Sequence, residues 1–305
     1  KTADDQAKLR ERVISPSLIG SDGNLRPEIR PVFETLANPQ AYALLAYAGR
    51  SFLLETIYYY PNASSAEGNV SLTDAEDGLK LSSPGVKEDV FPFLEQYIGS
   101  SLLKRTEFEF NLPLVDAWVF FGVVDASRRK MLNTLLERAT PAGIELTAEE
   151  IYAEMAASAN NMQWFSPYFD SCLSLAQLSA NDIQFGLQNL GKKGSLTMRG
   201  DTVIPARSVM QIADEFLLVD AYLRLRMGML EAGQPQHTDM RVVQGRSGAI
   251  LYWVYDDQGV DLISLSPAQL MLILSSMIDN PAVHLSEAGA SAKPSGIPSS
   301  PPERL

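Results

Sequence analysis

The chain has 305 residues, 46% of them hydrophobic and 20% charged, with 37 acidic against 25 basic side chains and a net charge of −12. That balance belongs to a globular protein able to bury a substantial core, and its sign opposes global attraction to DNA, RNA or anionic lipid. One cysteine and two histidines supply no disulfide, no thiolate zinc cage and no three-histidine metal site, so neither a metal nor a cofactor is expected.

Residues 1–12 are charged and lack the apolar stretch of a signal peptide. No segment approaches the ~20 apolar residues of a membrane span, because even the apolar run 112–124 contains Asp116. A cytoplasmic protein with no membrane insertion is expected, and the single Cys172 agrees with a reducing compartment.

Residues 18–50 begin with a short apolar stretch, pass an Asp22-Gly23 turn, meet Pro27 and continue into a long helical pattern. Residues 52–60 read as a strand, Phe-Leu-Leu-Glu-Thr-Ile-Tyr-Tyr-Tyr, ended by Pro61 and a polar loop. Strands follow at 68–72 and 79–82 around Asp77-Gly78, then an apolar helix over 84–98. Residues 106–191 read as a helical centre. Helices start there at Thr147 with Glu150, and at Ser179 with Asp182, each a capping box behind a leucine staple, Leu146 and Leu178.

Residues 196–226 then repeat the opening order: an apolar start, a Gly200-Asp201 turn, Pro205 and a helical pattern. Strands are expected at 250–255 and 260–262 around Gly259, followed by a capped helix from Ser266 and Gln269 to Ile278. The tail 286–305 is Ser, Ala, Gly and Pro with little to bury, and is expected to be mobile. The fold class read from this order is α+β, with two quasi-equivalent halves about a pseudo-two-fold axis. Each half is a small antiparallel sheet with flanking helices, over 1–105 and 192–285, and the helical region 106–191 joins them.

Chemistry is sparse. There is no Gly-x-Ser-x-Gly elbow and no glycine-rich phosphate loop. His237 and His284 have no partner placed beside them by the sequence. The pairs Glu149-Glu150 and Asp256-Asp257 read as solvated charge or turn chemistry. No catalytic residue is assigned, and the chain is expected not to be an enzyme. One alternative is a DNA-binding regulator, since 178–204 looks like a winged helix with Lys192 and Lys193 beside the wing. Another is an enzyme using scattered carboxylates.

Tyr58, Tyr60, Tyr252, Trp253 and Tyr255 belong to strands that are apolar or aromatic on both faces, whereas a sheet covered on one side needs only one such face. The second face is covered by the other half of the molecule or is a partner surface. The run 18–29, the long helix and strands after it, the helix 86–98 and the closing 248–278 together resemble the EspG-type specificity chaperones of type VII secretion. That resemblance implies a non-enzymatic protein that holds helical secretion substrates soluble. A cytosolic chaperone or adaptor for an apolar helical protein client is therefore the expected function, and the Pro-rich tail is a departure from that family.

Overall fold

A computed structural model describes residues 18, 24–50, 53–65, 67–75, 78–83, 90–138, 143–158, 163–166, 178–231, 234–255 and 259–283. Residues 1–12, the Asp22-Gly23 turn, Cys172, the Asp256-Asp257 pair, His284 and the tail 286–305 lie outside the described residues.

Three helix starts are made by reciprocal caps. The Thr147 amide donates to Glu150 at 2.8 Å while the Glu150 amide donates to Thr147 Oγ1 at 3.1 Å, opening α4 (Ala148–Ser158). Ser179 and Asp182 do the same for α5 (Ala180–Lys192), and Ser266 and Gln269 for α7 (Pro267–Asp279). Each box satisfies amides that a first turn leaves without intrahelical partners.

The remaining elements fall into a repeated order. In the first half α1 (Arg30–Ala37) leads to β1 (Ala41–Gly49), β2 (Leu53–Tyr60), β3 (Val70–Ala75), β4 (Gly78–Ser82) and α2 (Phe91–Ile98). In the second, α6 (Arg207–Glu215) leads to β9 (Val219–Glu231), β10 (Gln234–Gly245), β11 (Ile250–Tyr255), β12 (Val260–Leu265) and α7. Between them lie β5 (Glu109–Leu112), α3 (Leu114–Leu136), β6 (Leu146–Thr147), α4, α5, β7 (Leu196–Arg199) and β8 (Thr202–Pro205). The Gly200-Asp201 pair forms the β7–β8 turn, with Gly200 at φ 61°, a conformation that glycine adopts without steric cost.

Both long helical patterns of the sequence reading are corrected. After each short helix, α1 or α6, the chain turns into a strand, so 41–49 and 219–231 are β1 and β9. Alanine and leucine favour helix, but β1 is hydrogen-bonded on both edges, to β2 and to β9, and this tertiary pairing overrides a preference of under ~1 kcal/mol per residue.

That pairing also fuses what the sequence suggested as two sheets. The two four-stranded meanders meet at their first strands, giving one nine-stranded antiparallel sheet ordered β4-β3-β2-β1-β9-β10-β11-β12-β5. One face carries Ala43, Leu45, Tyr58, Leu225, Val242 and Tyr252 and packs under α2 and α7 across both halves. On the other face, Val243, Leu251, Trp253 and Leu262 of the second half pack against α3 and the helices around it.

Helix α3 organises that second layer. Asp125, fully buried, accepts from the Arg128 guanidinium at 2.8 Å, from the amides of Phe165 and Ser166 at 2.9 and 3.0 Å, and from the Ser166 hydroxyl at 2.9 Å. Arg128 reaches on to the Gln163 carbonyl and lies 4.9 Å from the Trp164 ring. One carboxylate thereby holds residues 163–166 against α3. Nearby, α5 crosses α3 so closely that a Cβ on Gly186 would meet Val119 at 2.8 Å.

Two stability outcomes follow. Replacing Asp125 with Ala leaves Arg128 buried without its counter-charge and is expected to cost about 3–5 kcal/mol in urea unfolding; a loss under ~1 kcal/mol would show that the network bears no weight. Gly186→Ala is expected to destabilise by about 1–2 kcal/mol despite the better helix preference of alanine, because the rigid β-branched Val119 has nowhere to go. Gly122→Ala, whose Cβ would meet Met155 at 2.6 Å and Ile151 at 3.0 Å, is expected to destabilise in the same assay as well.

Candidate functional site

The aromatic residues singled out in the sequence are placed by the pleat. Tyr58 and Tyr60 share a parity with Ala43 and Ala41, and both are fully buried. Tyr60 donates its hydroxyl to the Ile278 carbonyl at 2.8 Å, beneath the end of α7. Burial raises its pKa, and that of the equally buried Tyr252, above the ordinary tyrosine value. Trp253 faces the opposite way, 5.7 Å from the Phe121 ring of α3. These four side chains are core, divided between two clusters rather than gathered in one patch, so they present no surface to a partner. Tyr255 pairs with Val260 at the end of β11, and its side chain lies outside the description.

The surplus apolar surface is real but has the other parity. A one-residue change of register exchanges the two faces of a strand. On β1–β4, the side chains alternating with the buried set are Tyr42, Leu44, Ile57, Tyr59 and Leu72, all partly exposed and outside both core clusters. On the same face Leu53 is 73% exposed, Leu79 64% and Leu81 39%. In the second half this face is covered by α3. In the first half α1 packs against β2 and β3, its half-buried Val32, Phe33 and Leu36 lying outside the cluster under α2 and α7, and Val70, opposite Tyr59, is fully buried.

The pairing registers align a row straight across the strands. Leu81 pairs with Leu72, Leu72 with Ile57, Ile57 with Leu44, Leu44 with Arg226, and Arg226 with Asp239. At ~4.8 Å per strand, the four aliphatic side chains form a strip roughly 14 Å long that ends in a guanidinium. Tyr42 lies flat beside the strip over Gly228, where a Cβ would come within 2.5 Å of its ring. The absent side chain is what lets the ring lie on the sheet.

Asp239 is almost fully buried and gathers three arginines. Arg224 engages it through Nε at 2.8 Å and through Nη2, Arg226 Nη2 lies at 3.1 Å, and Arg241 Nη2 at 3.4 Å. Burial pushes the Asp239 carboxyl upward, but the Arg224 hydrogen bonds and the charges of Arg241, Arg224 and Arg226 outweigh it, holding the pKa below the usual carboxylate value. No run of apolar residues marks this cluster in the sequence. The alternation of Arg224 and Arg226 with Leu223, Leu225 and Met227 was its one visible signal, hidden by the helical reading of β9.

The other candidates are dispersed. His237 is exposed on β10, opposite Gly228. Glu150 serves the cap of α4 and pairs with Lys130 at 3.0 Å, while Glu154 takes Arg129 at 2.8 Å, so these carboxylates have structural partners. Helix α5 and the β7–β8 hairpin occur in winged-helix order, but Lys193 is directed to the Asn111 carbonyl at 3.3 Å and to Asp116 at 3.9 Å. Among the described residues no group of three or more His, Cys, Asp or Glu could hold a metal ion, and no helix is long and apolar enough to cross a membrane.

No protein-family model matches the sequence, and no curated protein matches it. Among solved structures, the chain is similar to the type VII secretion system chaperone EspG5 of Mycobacterium tuberculosis, solved in complex with the PE25–PPE41 dimer. The similarity covers 88% of this chain and 82% of that chain, with 10% identity and a TM-score of 0.38. It is the same family that the order of elements resembles in the sequence.

The arginine cluster carries a pH signature. A depressed carboxylate contributes stability that is present above its unfolded value of ~3.9 and is lost as pH falls toward its folded value. Asp239→Asn is expected to lower stability by about 2 kcal/mol at pH 7 and to narrow that gap as pH falls below about 4 in urea titrations. A gap that stays constant as pH falls would show that the ion cluster does not contribute.

Proposed function

We propose that this chain is a non-enzymatic, cytosolic protein-binding protein, a chaperone or adaptor that shields an apolar client on the face of β1–β4 turned away from α2 and α7. What supports this reading is the exposure of Leu53, Leu79 and Leu81 on one face of one sheet, continuous with the partly exposed Leu44, Ile57 and Leu72. A single exposed leucine is ordinary, but a contiguous aliphatic strip on a rigid sheet marks an interaction surface. In the second half the equivalent face is covered by α3 and forms part of a core. In the first half, where α1 packs against β2 and β3, Leu53, Leu79 and Leu81 are what this face leaves exposed.

The surface is rigid for a physical reason. Beneath it, Ala43, Leu45, Tyr58 and Tyr60 are fixed under α7, so the strip is shaped before a client arrives and little ordering is lost on binding. Shielding of this kind asks for area and shape, with no reacting group.

The test is site-specific photo-crosslinking in cells. A benzophenone side chain at Leu44, Ile57 or Leu72 is expected to form adducts with one protein of distinct mass, whereas the same group at the exposed Leu136 or Leu272 on other elements forms none. Equal adducts at all five positions, or none at the first three, would overturn the proposal.

A further inference from the structure

The sheet has two borders, and only one of them is guarded. At β5, Lys193 Nζ lies 3.3 Å from the Asn111 carbonyl and α3 packs against the strand, so a charge and a helix stand at that border. β4 ends the other side. It pairs with β3 from Gly78 opposite Ala75 to Ser82 opposite Ser71, and no described strand lies beyond it. The ladder has no bulge and the strand no proline, two of the devices by which proteins close such borders.

The chemistry of this border defines what can occupy it. Alternate residues of an antiparallel strand turn their N–H and C=O away from the neighbour, so β4 directs a row of main-chain donors and acceptors outward. Leu79 and Leu81 are two apart and point to one face, the one turned away from α2 and α7. α1 packs on that face against β2 and β3, and the two leucines remain 64% and 39% exposed beyond it. A helix laid along β4 would dry the outward main-chain groups without pairing them, which is costly for each. A strand pairs them and sets its own side chains beside the leucines. A second copy pairing through the same strand would bring another net charge of −12 against the first.

Beyond the reading of the face, we infer that β4 takes up an extended segment of a partner protein as a tenth strand of the sheet, with two aliphatic residues two positions apart set opposite Leu79 and Leu81. Main-chain hydrogen bonds hold the segment, and the two side chains choose it.

The experiment selects linear peptides from a display library against the intact chain and measures the selected sequences as synthetic peptides. They are expected to carry two aliphatic residues separated by one position. N-methylation at every second backbone nitrogen is expected to weaken binding about tenfold, and at the intervening nitrogens less than twofold, the signature of strand pairing. Leu79→Asp is expected to weaken the same peptides about tenfold, whereas Leu53→Asp, on the same face but two strands inward, leaves them within twofold. Peptides without the alternation, an N-methyl profile without a period of two, or equal losses in both variants overturn the inference. So does the absence of any peptide that Leu79→Asp weakens. Concentration-dependent dimerisation lost in Leu79→Asp assigns the border to a second copy and also overturns it. The photo-crosslinks at Leu44, Ile57 and Leu72 read the face and this assay reads the border, so failure of one is distinguishable from failure of the other.

Discussion

The architecture depends on the antiparallel ladder between β1 and β9. It runs in register from Ala41 opposite Met229 to Gly49 opposite Ala221, nine residue pairs without a bulge. Without it the molecule would be two four-stranded meanders, each with an exposed edge and too little covering helix. With it, one face is continuous from β4 to β12, and α2 and α7 can cover both halves together. The same ladder aligns Leu44 with Arg226 and joins the aliphatic strip of the first half to the ion cluster of the second. The candidate site exists because the halves share a sheet.

Local order was legible in the sequence to the extent that local chemistry determines it. The three capping boxes form as their Ser/Thr and acidic or amide partners require, and the strands around Gly78 and Gly259 lie where turn residues punctuate apolar runs. The repeated order of helix, four strands and helix was visible in part, through the matched turns and prolines. β1 and β9 were misread because Ala-Tyr-Ala-Leu-Leu-Ala-Tyr-Ala and Tyr-Leu-Arg-Leu-Arg-Met satisfy helical and alternating patterns alike, and only pairing partners far along the chain decide between them.

The site was half legible. The excess of apolar strand surface could be counted from residues 52–60, but its parity could not, since Tyr58, Tyr59 and Tyr60 are chemically identical and differ only in the side of the sheet they face. Burial of Tyr60 under Ile278 is a contact across 218 residues, beyond the reach of local patterning. The arginines were invisible as a group because Arg224, Arg226 and Arg241 come together only when β9 and β10 form a hairpin around Asp239. The covering of Trp253 by α3, rather than by the other half of the molecule, likewise depends on how far the central helix reaches across the sheet.

The distance along the chain between β1 and β9 has a consequence for synthesis. Gly49 and its partner Ala221 are roughly 170 residues apart, an interval of on the order of ten to thirty seconds at ~5–20 residues per second on the ribosome. Throughout it the nascent first meander offers β1 as an unpaired border, and strands of this kind invite wrong neighbours. Slow, vectorial closure of the sheet therefore leaves the emerging polypeptide open to mispairing until its own second half arrives to seal the seam.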